Sequence, residues 1–403
     1  SSINLVSQQR QKLELEENPD PGFQKEVDQL VRDKLRAYLL EMKKTMEEEK
    51  NRQKAEEDSK RQKEAELAEQ KKRLEIEKAE RKKSEMLTKS IIRDSTPRPG
   101  LTNLNNTCYL NSAIQCLGTI FALEPFRSVI EESVSEGDYL AEEILVNPKL
   151  ENVAAKHEAW SSLQHVMNAI IKRDIITQDQ IWPLVTFMAE NGLQHGRQND
   201  IQEAVVMLYN ILPARSLKPF VDIKGAYVRK YGCNHEYRTS EPLSTLDLRL
   251  VGVDGKTSVE KLISSAYGQV QDGDLSRCSE CGKKSKPTAF YDFDLSQTRI
   301  LAVHVNRIDY YGQKLKTICQ CLIELKLANF KFKMVAFAVH EGENSNRGHY
   351  VAYAKRKHGD SWIRCDDTKI TEKDANKRAM DALMGDPYGV NTPALLFYEK
   401  VHA

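Results

Sequence analysis

Two kinds of apolar pattern divide this chain. From Gln24 to about Ile92, Gly and Pro are absent and Glu, Lys, Arg and Gln dominate. Val27, Val31, Leu35, Tyr38, Met42 and Met46 recur every three or four residues, which predicts a helix with one apolar stripe. Beyond Glu47 large apolar residues are sparse. Leu67 and Leu74 lie one heptad apart, but no a/d seam is sustained, so a mostly solvated single helix is favoured over a tight coiled coil. Glu48–Arg52, Glu56–Lys60, Glu57–Arg61, Glu69–Arg73, Glu77–Arg81 and Glu85–Lys89 are i,i+4 pairs in the favourable order, each adding about 0.2–0.5 kcal/mol to a helix. A continuous helix of this extent spans on the order of 100 Å at about 1.5 Å per residue. Asp94-Ser95-Thr96-Pro97-Arg98-Pro99-Gly100 then breaks it. The expected segments are a flexible stretch over 1–23, the charged helix over 24–93, a linker over 94–99 and a folded domain over 100–403.

After residue 100 the periods alternate. Leu110, Ala113, Ile114 and Leu117 repeat at helical spacing, as do Val205, Leu208, Ile211 and Leu212. Asp200 stands before the second helix and Glu203 three residues later, the signature of an N-cap. Arg299 to Arg307 is a continuous apolar run that reads as a buried strand, with His304 a structural residue inside it. Tyr350 to Ala354 reads as a strand entered from the polar loop Glu341 to Arg347, and Ser361 to Thr368 as a short strand running into a turn. The expected class is α+β.

Lys and Arg number 60 against 59 Asp and Glu, so bulk charge gives no nucleic-acid signal. No apolar run approaches the ~20 residues that span a bilayer, and no signal peptide is visible. The 8 cysteines are scattered rather than paired as a framework, which fits a reducing compartment, cytoplasm or nucleus.

One cysteine sits where chemistry is expected. Asn105 and Asn106 favour a turn, and Cys108 follows in the first turn of a helix. Open N–H groups and the helix dipole favour negative charge there, and a thiolate carries one. His349, where a flexible loop enters a strand, suits a general base. Asp366 or Asp367, one strand further on, can fix the imidazole tautomer. Taken singly, each has a plainer reading: a buried inert thiol, a structural histidine, a solvated turn. Cys, His and Asp in that order form a recognised nucleophile pattern.

The run from Gly100 to Ser112 resembles the Cys box of the ubiquitin-specific proteases, at Gly100, Leu101, Asn103, Leu104, Asn106, Thr107, Cys108, Tyr109, Asn111 and Ser112. His340, Gly342, Gly348, His349, Tyr350 and Tyr353 resemble the family's His box, and Trp362, Asp366 and Asp367 its third box. The resemblance covers roughly residues 97–401. It implies a papain-like catalytic domain with thumb, palm and fingers, the fingers at about 225–300, preceded by the charged helix. It implies that Cys108 is the nucleophile, His349 the base and Asp366 its orienting residue, with Asp367 in support and the Asn103 amide on the oxyanion. It implies ubiquitin and ubiquitinated proteins as partners, with Asp200, Glu203, Gly348 and Tyr350 at the ubiquitin tail, and no cofactor in catalysis. The helix stripe suits a further protein partner; no nucleic-acid or membrane partner is expected. Asn105 departs from the family's Gly and Ala204 from an aromatic.

Cys278-x-x-Cys281, with Cys233 and His235 upstream, supplies a candidate ligand set for a structural zinc. A degenerate finger without metal and a redox Cys-x-x-Cys are the alternatives. Two other functions stay open: a ubiquitin-binding module with little or no activity, and a protease for a ubiquitin-like modifier.

Overall fold

A computed structural model describes residues 21–95, 97–132, 135–146, 152–240, 242–271, 273–345, 347–355 and 361–401. Residues 1–20 and the side chains of 63–95 lie outside this set, and with them most of the expected flexible segment, Leu67, Leu74 and the ion pairs from Glu69 onward. The chain divides into two units, Ser1–Ile92 and Arg93–Ala403.

The first unit is one helix, α1 (Pro21–Ser95). It starts earlier than the expected residue 24 and runs into the expected linker, with Pro21 at the first helical position, where a missing N–H is harmless. Val31, Leu35, Tyr38, Met42 and Met46 are exposed along it. The Glu57–Arg61 pair closes at 3.0 Å.

The second unit begins with helices: α2 (Cys108–Ile120), α3 (Phe126–Glu131), α4 (Glu136–Val146), α5 (Val153–Lys172), α6 (Gln178–Glu190) and α7 (Ile201–Asn210). Every residue of α2 is buried, so this helix is enclosed by its neighbours rather than laid on one face.

Strands β1 (Lys224–Lys230) and β2 (Glu236–Ser240) open the sheet region. Then come β3 (Leu246–Arg249), β4 (Lys256–Ser258), helix α8 (Val259–Tyr267), β5 (Val270–Gln271), β6 (Ser276–Arg277), β7 (Lys284–Ser285) and β8 (Thr288–Asp294). A four-stranded sheet in the order β2-β1-β8-β5 forms the finger-like part, with the β6–β7 hairpin beside it. The expected finger interval of 225–300 is therefore not one unit. β3 leaves it to pair in parallel with β9 of the main sheet, because Leu246 and Leu248 alternate inward and join that sheet's core.

The remaining elements are β9 (Ile300–Asn306), β10 (Ile318–Gln320), β11 (Glu324–Leu327), β12 (Phe330–Asn344), β13 (Arg347–Lys355), β14 (Trp362–Asp366), β15 (Lys369–Thr371), α9 (Ala375–Met384) and β16 (Asn391–Lys400). The main sheet runs β15-β14-β13-β12-β16-β9-β3, with β11 on β12. It is buried on both faces, which explains its unbroken apolar runs. Ile300, Ala302, Ala352 and Cys365 face the layer of α2; Leu301, Val303, Val351 and Tyr353 face a second core with Leu383 of α9.

Candidate active site

Cys108 is the first residue of α2, after a turn in which Asn105 and Asn106 both hold φ of 63°. That is the left-handed region, where Asn is the least strained residue after Gly. The turn is tied by side chains. The Asn103 Oδ1 accepts the Thr107 N–H at 3.0 Å, and the Thr107 hydroxyl accepts the Leu104 N–H at 2.8 Å. The N–H groups of the first helical turn have no acceptor within the helix and lie at its Cys108 end.

His349 lies in β13 and Asp366 ends β14. Their contact, between His349 Nε2 and Asp366 Oδ1, is 2.6 Å. With Nε2 engaged, Nδ1 is the ring nitrogen left for Cys108. The sulfur and Asp366 raise the His349 pKa to about 9, the hydrogen bond with Cys108 being the larger cause, against the opposing effect of burial. The ring therefore holds its proton at neutral pH. Cys108 is only 4% exposed, but it is held against His349 rather than sealed in apolar packing.

Asp367 lies 4.0 Å from His349 Nε2. Its carboxylate accepts from Asn103 Nδ2 at 2.9 Å and from Asn111 Nδ2 at 2.7 Å. Asn103, expected at the oxyanion, thus bridges Asp367 and the N-terminus of α2. Asp200 caps α7, its side chain accepting the Gln202 N–H at 2.7 Å rather than pairing in a box with Glu203, which is exposed. Gly348 packs against the His340 ring, where a Cβ has no room. Tyr350 is turned inward: it is buried, and its hydroxyl meets the Ile201 backbone N–H. It stands on the α2 side of the sheet as a buried ring, with Asp200, Cys108 and Glu203 among its neighbours.

Three further groups have partners here that the sequence did not show. His340 Nε2 accepts from the Gln198 amide at 2.9 Å, and burial, then Lys314 and His349, lower its pKa to about 4, so it is neutral. Arg364 bonds Asp366 Oδ2 at 2.6 Å and Glu341 at 2.9 Å. His304, read as structural, bonds Asp247 at 2.6 Å and approaches Asp200 at 3.9 Å. The signal for Glu341 and Arg364 was present only as charge within the His and Asp boxes.

Residues 99–398 match the family model described as ubiquitin carboxyl-terminal hydrolase. The chain belongs to the ubiquitin carboxyl-terminal hydrolase family. It is 26% identical over 308 residues to ubiquitin carboxyl-terminal hydrolase 17-like protein C of Mus musculus, covering 69% of this chain and 52% of that protein. It is 24% identical over 315 residues to ubiquitin carboxyl-terminal hydrolase 25 of Arabidopsis thaliana, covering 69% of this chain and 45% of that protein. The chain thus spans about half the length of these curated relatives. Its fold matches a chain of the SAGA DUB module Ubp8/Sgf11/Sus1/Sgf73 bound to monoubiquitin, with TM-score 0.57, 16% identity and coverage of 76% of this chain and 69% of that one. The same module bound to ubiquitin aldehyde matches with TM-score 0.54. The family is one of cysteine-protease hydrolases and of the ubiquitin-specific protease fold.

At the finger tip, Cys233 and His235 from the β1–β2 turn meet Cys278 and Cys281 from the β6–β7 turn, their ligand atoms within 4.8 Å of one another. His235 Nδ1 is 3.7 Å from Cys233 Sγ and 3.5 Å from Cys278 Sγ. A tetrahedron with Zn–S of about 2.3 Å and Zn–N of about 2.05 Å has S···N edges of about 3.6 Å. The donor set and its spacing fit zinc, and the cluster could bind a metal. His349, Asp366 and Asp367 also approach one another, but their contacts there are with each other, Cys108, Arg364, Asn103 and Asn111.

Proposed function

We propose that this chain is a thiol-dependent ubiquitinyl hydrolase that cleaves the peptide or isopeptide bond after the C-terminal glycine of ubiquitin. The carrying observation is the meeting of Cys108, His349 and Asp366 at the open end of α2. The Cys108 sulfur attacks the glycine carbonyl carbon. The tetrahedral oxyanion is met by first-turn N–H groups and by the second N–H of the Asn103 amide, the first being held by Asp367; a donor so placed contributes about 3–4 kcal/mol to lowering the barrier. His349 gives its proton to the leaving amine and a thioester remains. The ring then takes a proton from water, which attacks the thioester and frees Cys108. Asp366 keeps the ring oriented through both steps. Asp200 and Glu203, at the entrance of α7, are proposed to hold the ubiquitin tail, beside Gly348 and Tyr350. A zinc held by Cys233, His235, Cys278 and Cys281 would brace the finger tip and takes no part in the chemistry.

The test is a ubiquitin bearing a C-terminal electrophile. The wild-type chain is expected to form one adduct at Cys108, and Cys108→Ala none. A wild type that binds ubiquitin but forms no adduct would favour the binding-module reading. Selective adduct formation with a ubiquitin-like modifier would move the substrate.

A further inference from the structure

We propose that Glu341 and Arg364 are a positioning pair that fixes the Asp366 carboxylate against His349. This rests on the hydrolase reading above. Asp366 has two oxygens and spends each on a different cation: Oδ1 on His349 Nε2 at 2.6 Å and Oδ2 on one amino group of Arg364 at 2.6 Å. The other amino group of Arg364 reaches both oxygens of Glu341, at 2.9 and 3.2 Å. The result is a line of alternating charge across three strands, from Glu341 to Arg364 to Asp366 to His349.

The sheet register builds this line. Glu341 stands directly opposite His349 on the β12–β13 ladder. Arg364 lies opposite Tyr353 on the β13–β14 ladder, two residues before Asp366, so the two share a face. The Arg364 side chain is only 8% exposed. A cation so covered needs partners on its fork, and a planar guanidinium can hold two carboxylates at a fixed angle where an ammonium cannot.

The charge count shows why both members are required. Arg364 alone would set two cations on the single carboxylate of Asp366 and weaken its hold on the imidazolium. Glu341 balances the guanidinium, so Arg364 orients Asp366 without draining it. The other groups facing His349 are Cys108 from α2, Asp367 after β14 and His340 from β12. Those facing Arg364 include Tyr353, with Arg378 of α9 beyond it. Neither Glu341 nor Arg364 touches the sulfur, so both act through Asp366.

The experiment is a histidine-ring NMR titration of the full chain, with His349 assigned from its loss in His349→Gln. Glu341→Gln keeps the shape and an acceptor for Arg364 but removes the charge. It is expected to lower the His349 midpoint by about 0.5 pH or more, because an uncompensated cation is left on Asp366. Adding Arg364→Gln is expected to bring the midpoint back up. The basic limb of kcat/KM for a ubiquitin C-terminal substrate should move the same way, with kcat falling and KM held. Arg364→Lys should keep the fold and lose part of kcat. A midpoint that stays or rises in Glu341→Gln overturns the proposal, as does a double variant that remains at the value of the single one. The titration needs no turnover. A wild type that fails to cleave ubiquitin substrates would sink the hydrolase reading and leave this one decided by the NMR midpoint.

Discussion

His340 gives a stability prediction whose size follows from its surroundings. The ring is 6% exposed, packs edge-on to Tyr350 at 4.9 Å and accepts from Gln198 at 2.9 Å. Only a neutral imidazole can accept there. Burial, with Lys314 and His349 as neighbouring cations, takes its pKa from 6.5 to about 4. The folded pKa is below the unfolded one, so the unfolded chain takes up the proton first as pH falls. Stability is then full above about pH 6.5 and is lost progressively toward pH 4. Over the whole range the loss is about 3 kcal/mol, and between pH 7 and pH 5 about 2 kcal/mol. His340→Gln removes the titration and keeps a polar group beside Gln198. Trp160, Trp182 and Trp362, the chain's 3 tryptophans, all lie in the second unit, so their fluorescence follows its unfolding alone. Urea midpoints at pH 7 and pH 5 should show wild type losing about 2 kcal/mol more than the variant. His349 contributes in the opposite sense: its raised pKa stabilises at low pH and that stabilisation is lost as pH rises through about 9. Its contribution is common to both proteins and cancels in the difference. Equal losses in the two would refute the neutral, acceptor role of His340.

Four further outcomes are expected. Asp366→Asn removes the carboxylate from His349 and should lower kcat/KM at least 100-fold, by the general cost of losing an acid–base partner, while leaving ubiquitin binding intact by calorimetry. Purified full chain should carry about one zinc by elemental analysis, and Cys278→Ser should lose it with little change in adduct formation at Cys108. Arg98 is buried and bonds Gln115 Oε1 at 2.6 Å, Thr119 Oγ1 at 3.0 Å and the Gln115 carbonyl. Arg98→Ala strands those acceptors and should cost about 2–4 kcal/mol by urea melting, whereas removing residues 1–92 should leave hydrolysis of a simple ubiquitin substrate nearly unchanged.

What the sequence showed well was what local pattern can carry. A turn of Asn residues before a helical repeat put Cys108 at a helix start, and a β-branched run after a loop put His349 on a strand. The long helix followed from composition alone. What it did not show depends on register. Nothing in the spacing of Glu341, His349 and Arg364 says that two ladders will stack them in one row, because register depends on turn geometry as well as on the alternating pattern. The same limit explains β3, whose four residues fit either sheet until the parallel partner β9 is known.

The two adjacent aspartates show how hydrogen-bond supply assigns roles that sequence order leaves open. Each is within 4.0 Å of the His349 ring. Asp367 has no oxygen to spare for it: one accepts from Asn103 and the other from Asn111. Its φ is 48°, which turns the chain so that its carbonyl accepts the Leu101 N–H at 2.9 Å. All three bonds reach the segment around Cys108, more than 250 positions earlier in the chain. Asp367 therefore clamps the nucleophile's turn to the end of β14, and its charge is committed to two amides. Asp366, with Oδ1 on His349 and Oδ2 on Arg364, is the carboxylate left to serve the imidazole. One residue holds the two halves of the site at a fixed distance and the other works across that distance. Exchanging their roles would require rebuilding the turn that brings Cys108 to the cleft.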